Sequence, residues 1–71
     1  MDELQRLRPG MAVWDIGHHR VGTVTSVEDD RFELERRGDG TLSVRGDAIF
    51  WVGATFATLV CHEGRLGAYE A

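Results

Sequence analysis

Residues 31–45, RFELERRGDGTLSVR, alternate apolar and polar positions on either side of a glycine-rich turn. In an extended chain Phe32 and Leu34 fall on one face, and Arg31, Glu33 and Glu35 on the other. Arg37-Gly38-Asp39-Gly40 carries strong turn chemistry. Thr41–Arg45 then resumes the alternation, with Leu42 and Val44 on one face. Pairing Leu34 with Leu42 sets Phe32 opposite Val44 and keeps all four apolar side chains together. A slip of one residue would split them between faces. The segment therefore predicts a hairpin with one buried face. An isolated hairpin is marginal in water, so the rest of the chain has to supply further strands.

It does so on both sides. Met11–Ile16 alternates, with Met11 and Val13 on one face and Trp14 and Ile16 on the other; Gly17–Arg20 is a tight connection. Val21–Glu28 is rich in β-branched residues. Its valines at 21, 24 and 27 defy a strict period of two, so a bulge or bend near Gly22 or Ser26 is expected. Asp29-Asp30 is a turn. Gly46-Asp47 breaks the strand after Arg45, Ala48–Val52 reads as a helical turn entering a strand, and Thr55–Val60 as a last strand ending in Cys61-His62. The expected fold is all-β: a small, closed or partly open, mostly antiparallel barrel of five to six short strands. The expected division is an N-terminal arm or barrel-end cap over 1–8 with Leu4 and Leu7 on one side, the barrel over 9–62, and a C-terminal tail over 63–71.

Seventy-one residues make one domain at most. A chain of this size has little core to spare, and disulfides, metals or self-association are the usual aids. Cys61 is the single cysteine, which rules out an internal disulfide and suits a reducing cytoplasm. No apolar run approaches a membrane span, and MDELQRLR lacks the apolar centre of a signal peptide. A cytoplasmic location is the expectation. The net charge is −4, and every basic residue is arginine. Such a chain lacks the broad positive field on which non-specific nucleic-acid binding depends, so nucleic acid ranks below protein as a partner.

PGMAVWDIGHHRVGTVTSVEDDRFELER, followed by GTLSVRGDAIFWV, resembles the PRC-barrel family, whose name comes from the barrel domain of the photosynthetic reaction centre H subunit. The likeness is to small stand-alone bacterial barrels and runs from residue 9 to about 60. It rests on Gly10, on Asp15 six residues before Val21-Gly22, on Val24 and Val27, and on the hairpin leading into SVRGDAIFWV. The family often carries a second acidic residue and glycine in the first hairpin; here Ile16-Gly17-His18-His19 stands there. The resemblance implies a β-barrel used as a docking module in larger assemblies, with no active site. A second likeness covers about a quarter of the chain. GMAVWDIGHHRVGTVTSV is similar to the KOW motif, in which a glycine-centred hairpin of an SH3-like barrel contacts RNA or protein. Val13, Gly17, Gly22 and Val24 carry it.

The chemistry-bearing residues offer little for catalysis. His18 and His19 are adjacent on a turn, and so are Cys61 and His62 at a strand end; a metal needs three or four converging ligands. In a strand Cys61 and His62 would point apart, whereas a nucleophile and its base have to lie within hydrogen-bond reach. Arg45-Gly46-Asp47 reads as a strand end and turn. Glu28-Asp29-Asp30 lacks the spacing of a calcium loop. No enzyme activity, cofactor or metal is expected. The aromatic residues carry more. Trp14, Phe32, Phe50, Trp51, Phe56 and Tyr69 exceed what so small a barrel can enclose. Phe50 and Trp51 are adjacent, so one of them should face outward, and Trp14 should oppose Val13. The tryptophans lie either on the exterior or beneath the N- or C-terminal arm, and exposed aromatics mark protein contacts. The expected function is a non-catalytic protein-interaction or assembly module, with self-association as a homodimer one form of it. Trp14 and Trp51 are its expected anchors, with His18, His19 and Arg20 as a secondary contact at the hairpin tip. The alternative is RNA association through residues 17–22.

Overall fold

A computed structural model describes residues 3–71, so the first two positions of the expected 1–8 arm lie outside the described residues. Six strands are present: β1 (Ala12–Trp14), β2 (Arg20–Val27), β3 (Arg31–Arg36), β4 (Gly40–Arg45), β5 (Ile49–Val52) and β6 (Phe56–Leu59). Three short 3-10 segments accompany them, at Glu3–Arg6, Gly46–Ala48 and Glu63–Tyr69. No helix among the described residues is long and apolar enough to cross a membrane. The strands form one sheet in the order β4-β3-β2-β1-β6-β5, curved into a half-barrel. Four of its ladders are antiparallel; β1 and β6 run parallel, with Val13 beside Ala57. That parallel ladder joins the N-terminal and C-terminal halves of the sheet.

The β3–β4 hairpin has the expected register, Leu34 opposite Leu42 and Phe32 opposite Val44. Phe32, Leu34 and Val44 are fully buried. The irregular valine spacing is resolved on both sides of Gly22. Pairing with β1 skips Val21, and pairing with β3 skips Thr25. Each extra residue bends the strand and resets which face its side chains meet. Val21 and Val24 are buried as a result, and Val27 packs partly against the core. A Cβ at Gly22 would run into the carbonyl oxygen of Glu35, so β2 and β3 approach there as only glycine permits.

Both ends of the described chain pack onto the sheet. Leu4 and Leu7 from the N-terminal segment and Leu66 from the C-terminal 3-10 segment are each 1% exposed. Each such burial stabilises the fold by about 2 kcal/mol. The terminal segments also cover the two sheet edges. The Val52 N–H on edge strand β5 donates to the Glu3 carboxylate at 3.0 Å. On edge strand β4, Ser43 accepts from the Ala71 N–H at 2.9 Å, and Val44 forms a bridge with Glu70. Free edges invite pairing with other chains, and these contacts suppress it.

Candidate functional site

Cross-strand partners share a face of the sheet, so the ladders place the outward side chains. Trp14 on β1 lies beside Thr58 on β6, and Thr58 lies beside Trp51 on β5. On its other side Trp14 pairs with Arg20 on β2. Three of the five sequence-predicted contact residues thus fall in one row across four strands: Arg20, Trp14, Thr58, Trp51. The two tryptophans are separated by two interstrand spacings, about 10 Å. A second row, Ala12 and Phe56, lies next to it on the same face. No charged side chain belongs to the β1–β6–β5 part of this face. The β2–β3–β4 part carries Glu33, Glu35, Arg31 and Arg45 among threonines and serines.

Phe50 departs from the expected alternation. Strict alternation would turn one of Phe50 and Trp51 inward, but both are exposed, Phe50 at 67% and Trp51 at 45%. The β5–β6 pairing passes from Ile49 opposite Leu59 to Trp51 opposite Thr58, which leaves Phe50 as an extra residue. A bulge of this kind lets two successive side chains face the same side. Ile49 and Val52 remain buried. Trp51 is braced as well: its ring lies 5.3 Å from that of Phe56, centroid to centroid, at a 57° tilt, and it covers Gly53 where a Cβ would stand. Trp14 is half-buried, and of the six aromatics only Phe32 is fully buried. At about 200 Å² for a free aromatic side chain, Phe50, Trp51 and Phe56 together expose roughly 300 Å² of ring surface. That is large for a domain of this size and enough for the centre of a contact.

The hairpin tip is organised by a residue that sequence reasoning did not single out for it. Asp15 is 3% exposed. Its Oδ1 accepts from the N–H groups of Gly17 and His19, both at 2.9 Å. Its Oδ2 accepts from the N–H of Glu63 at 3.1 Å, 48 residues on. Burial pushes the Asp15 carboxyl upward, but the amides of His19, Glu63 and Gly17, with the His19 ring nearby, outweigh it and hold it below the ordinary range. The local signal was an aspartate two residues before a glycine, the pattern of a side chain that caps its own turn; nothing local foretold Glu63. His18 takes the left-handed conformation at φ 66° and is exposed. His19 is exposed too, with Nδ1 3.6 Å from Asp15 Oδ1. Arg20 donates to Thr23 Oγ1 at 3.1 Å. The histidines therefore stand beyond the aromatic rows, on a turn tied down by Asp15.

The strand expected to run to Val60 ends at Leu59, so Cys61 and His62 lie in a bend and not at opposite faces of a strand. Cys61 is half-buried; burial, then the charge of Asp15, raises its thiol above the ordinary range. The His62 ring lies over Gly17, close to where a Cβ would be. Even so, no group of three or more His, Cys, Asp or Glu side chains among the described residues is placed to hold a metal ion. No protein-family model matches the chain, and no curated protein or solved structure gives a significant match.

Proposed function

We propose that this domain is a non-catalytic protein-interaction module, used as PRC-type barrels are used, which docks a protein partner on the outer face of β1, β6 and β5. The observation that supports the reading best is the bulge at Phe50. It turns two adjacent aromatics outward where alternation would have buried one, and Phe56 stiffens the pair. A fold that gains nothing from exposing Phe50 and Trp51 has a use for them outside itself. The contact is made face to face, because Glu3 and the Glu70-Ala71 end occupy the sheet edges that strand addition would need. Trp14 and Arg20 extend the row, and His18 and His19 border it.

The test is a pull-down from native lysate, run with and without nuclease and at low and high salt. A stoichiometric protein that survives both treatments, and is lost with Phe50→Ser or Trp51→Ala, supports the proposal. A second copy of the chain would appear instead as a concentration-dependent dimer in light scattering, abolished by the same substitutions. RNA whose removal releases everything bound, with steep salt dependence, would refute the docking reading in favour of the 17–22 hairpin.

A further inference from the structure

Strand β3 carries an arginine where its alternation calls for a core residue. Phe32 and Leu34 face inward, and the same parity turns Arg36 inward at the strand end. Its cross-strand partners are Gly22 on β2 and Gly40 on β4, so neither neighbouring strand offers a side chain beside it. Gly22, Gly38 and Gly40 line a cleft there together with Arg20, Glu35, Arg36 and Arg37. Arg36 Nε is buried and has no hydrogen-bond partner. A buried donor in a folded protein ordinarily has an acceptor, and Arg36 Nε gains one only if a small shift of its side chain opens it to the cleft.

The charges around it agree. Arg6, Arg31 and Arg45 are each paired with an acid, Glu3, Asp30 and Asp47. Among the described residues Arg36 and Arg37 make no ion pair and no side-chain hydrogen bond, and the guanidinium of Arg20 bonds only to the Thr23 hydroxyl. In a chain of net charge −4, three unpaired arginines at one cleft leave a local excess of positive charge. Guanidinium forks suit the oxygens of phosphate and carboxylate groups. Charge decides between them. Arg20 and Glu35 stand on the outer face of the ladder, one charge of each sign, and Arg36 and Arg37 leave a surplus of two, which matches a phosphate monoester near its second ionisation and exceeds the single charge of a carboxylate or a phosphodiester.

We propose that this cleft is a binding site for a phosphate monoester, with the half-buried Arg36 as its anchor and Arg20 and Arg37 as its outer clamps. The proposal is independent of the docking face. It is tested on the full chain by following backbone amides and arginine Nε–H signals in NMR during titration with inorganic phosphate, at ionic strength held constant with chloride. Dimethyl phosphate and a short single-stranded RNA serve as diester probes. The expected result is saturable shifts at Gly22, Gly38 and the Arg36 Nε–H, stronger at pH 7.5 than at pH 5.5 because the phosphate gains its second charge near pH 6. Arg36→Met should weaken binding about tenfold or more. Arg37→Gln, at an exposed position, should weaken it several-fold and serves if the first variant does not fold. Absence of saturable shifts with phosphate would overturn the proposal, and so would equal affinity in Arg37→Gln. Tighter binding of the diester probes than of phosphate would also overturn it and assign the cleft to a nucleic-acid backbone.

Discussion

Asp15→Ala removes the one carboxylate that joins the hairpin tip to the C-terminal segment. Three backbone amides lose their acceptor, those of Gly17, His19 and Glu63. The first two sit at an exposed tip, where water can replace the carboxylate in part. The third leads into the 3-10 segment that buries Leu66. At about 1 kcal/mol for each charge-assisted bond after rehydration, the loss is about 3 kcal/mol. A domain of this length holds roughly 4–10 kcal/mol in all, so the loss is a large share. It corresponds to a fall in Tm of roughly 15 °C.

Asp15→Asn separates the two tasks of the carboxylate. Its carbonyl oxygen can keep the Gly17 and His19 amides, but its NH2 then faces the Glu63 N–H, donor to donor. About half the destabilisation of the alanine variant is expected, with hydrogen-exchange protection lost first over residues 63–69. The pH dependence follows from the same contacts. The folded carboxyl titrates below its unfolded value, so its stabilisation is fully present above about pH 4, where the unfolded group ionises. It is lost as pH falls through the lower folded value. Below pH 4 the wild type should therefore lose stability more steeply than Asp15→Asn. Thermal melts monitored by circular dichroism between pH 2.5 and 7 measure both effects. A Tm for Asp15→Ala within about 3 °C of wild type would refute the reasoning.

Two further outcomes are expected. Gly22→Ala forces a methyl group against the Glu35 carbonyl and should cost about 3 kcal/mol or prevent folding, while Gly64→Ala, which meets nothing, should unfold in urea within about 0.5 kcal/mol of wild type. Alkylation of Cys61 should need a higher pH than a free thiol does, because burial and then Asp15 raise its ionisation; Asp15→Asn should move the rate profile to lower pH, and an unchanged profile would remove Asp15 as a contributor.

What could be read from the chain divides along local and non-local lines. The β3–β4 register was legible because Phe32, Leu34, Leu42 and Val44 constrain one another across a short turn. The bend in β2 was legible because three valines could not share a face otherwise. The outward aromatics were half legible. Two adjacent rings in a strand announce at least one exposed, but the bulge that exposes both depends on how β5 meets β6. The terminal segments were partly legible for a similar reason. Leu4 and Leu7 stand out as one apolar side of an arm or cap, whereas Leu66 lies among charged or small neighbours and looks like surface. They are core because the half-barrel has open ends, which no short window of sequence reveals. Asp15 is the clearest case. Its turn-capping pattern is local, whereas its bond to Glu63 exists only once the sheet has curved.

The placement of glycine and arginine gives the molecule two distinct outer regions. On β1, β6 and β5 the outward positions hold tryptophan, phenylalanine and threonine without charge, and the terminal segments close the adjacent edge. On β2, β3 and β4 the outward positions are charged or hydroxylated, while Gly22 and Gly40 leave Arg36, at the inward end of β3, without a cross-strand side chain. An apolar face excludes water and recognises shape; an arginine recess recognises charge. The two lie on opposite sides of the β1–β2 hairpin, and Arg20 belongs to both, paired with Trp14 in one and lining the cleft in the other. Substituting Arg20 should therefore weaken phosphate binding and protein docking together, whereas Trp51→Ala should affect docking alone and Arg37→Gln phosphate alone.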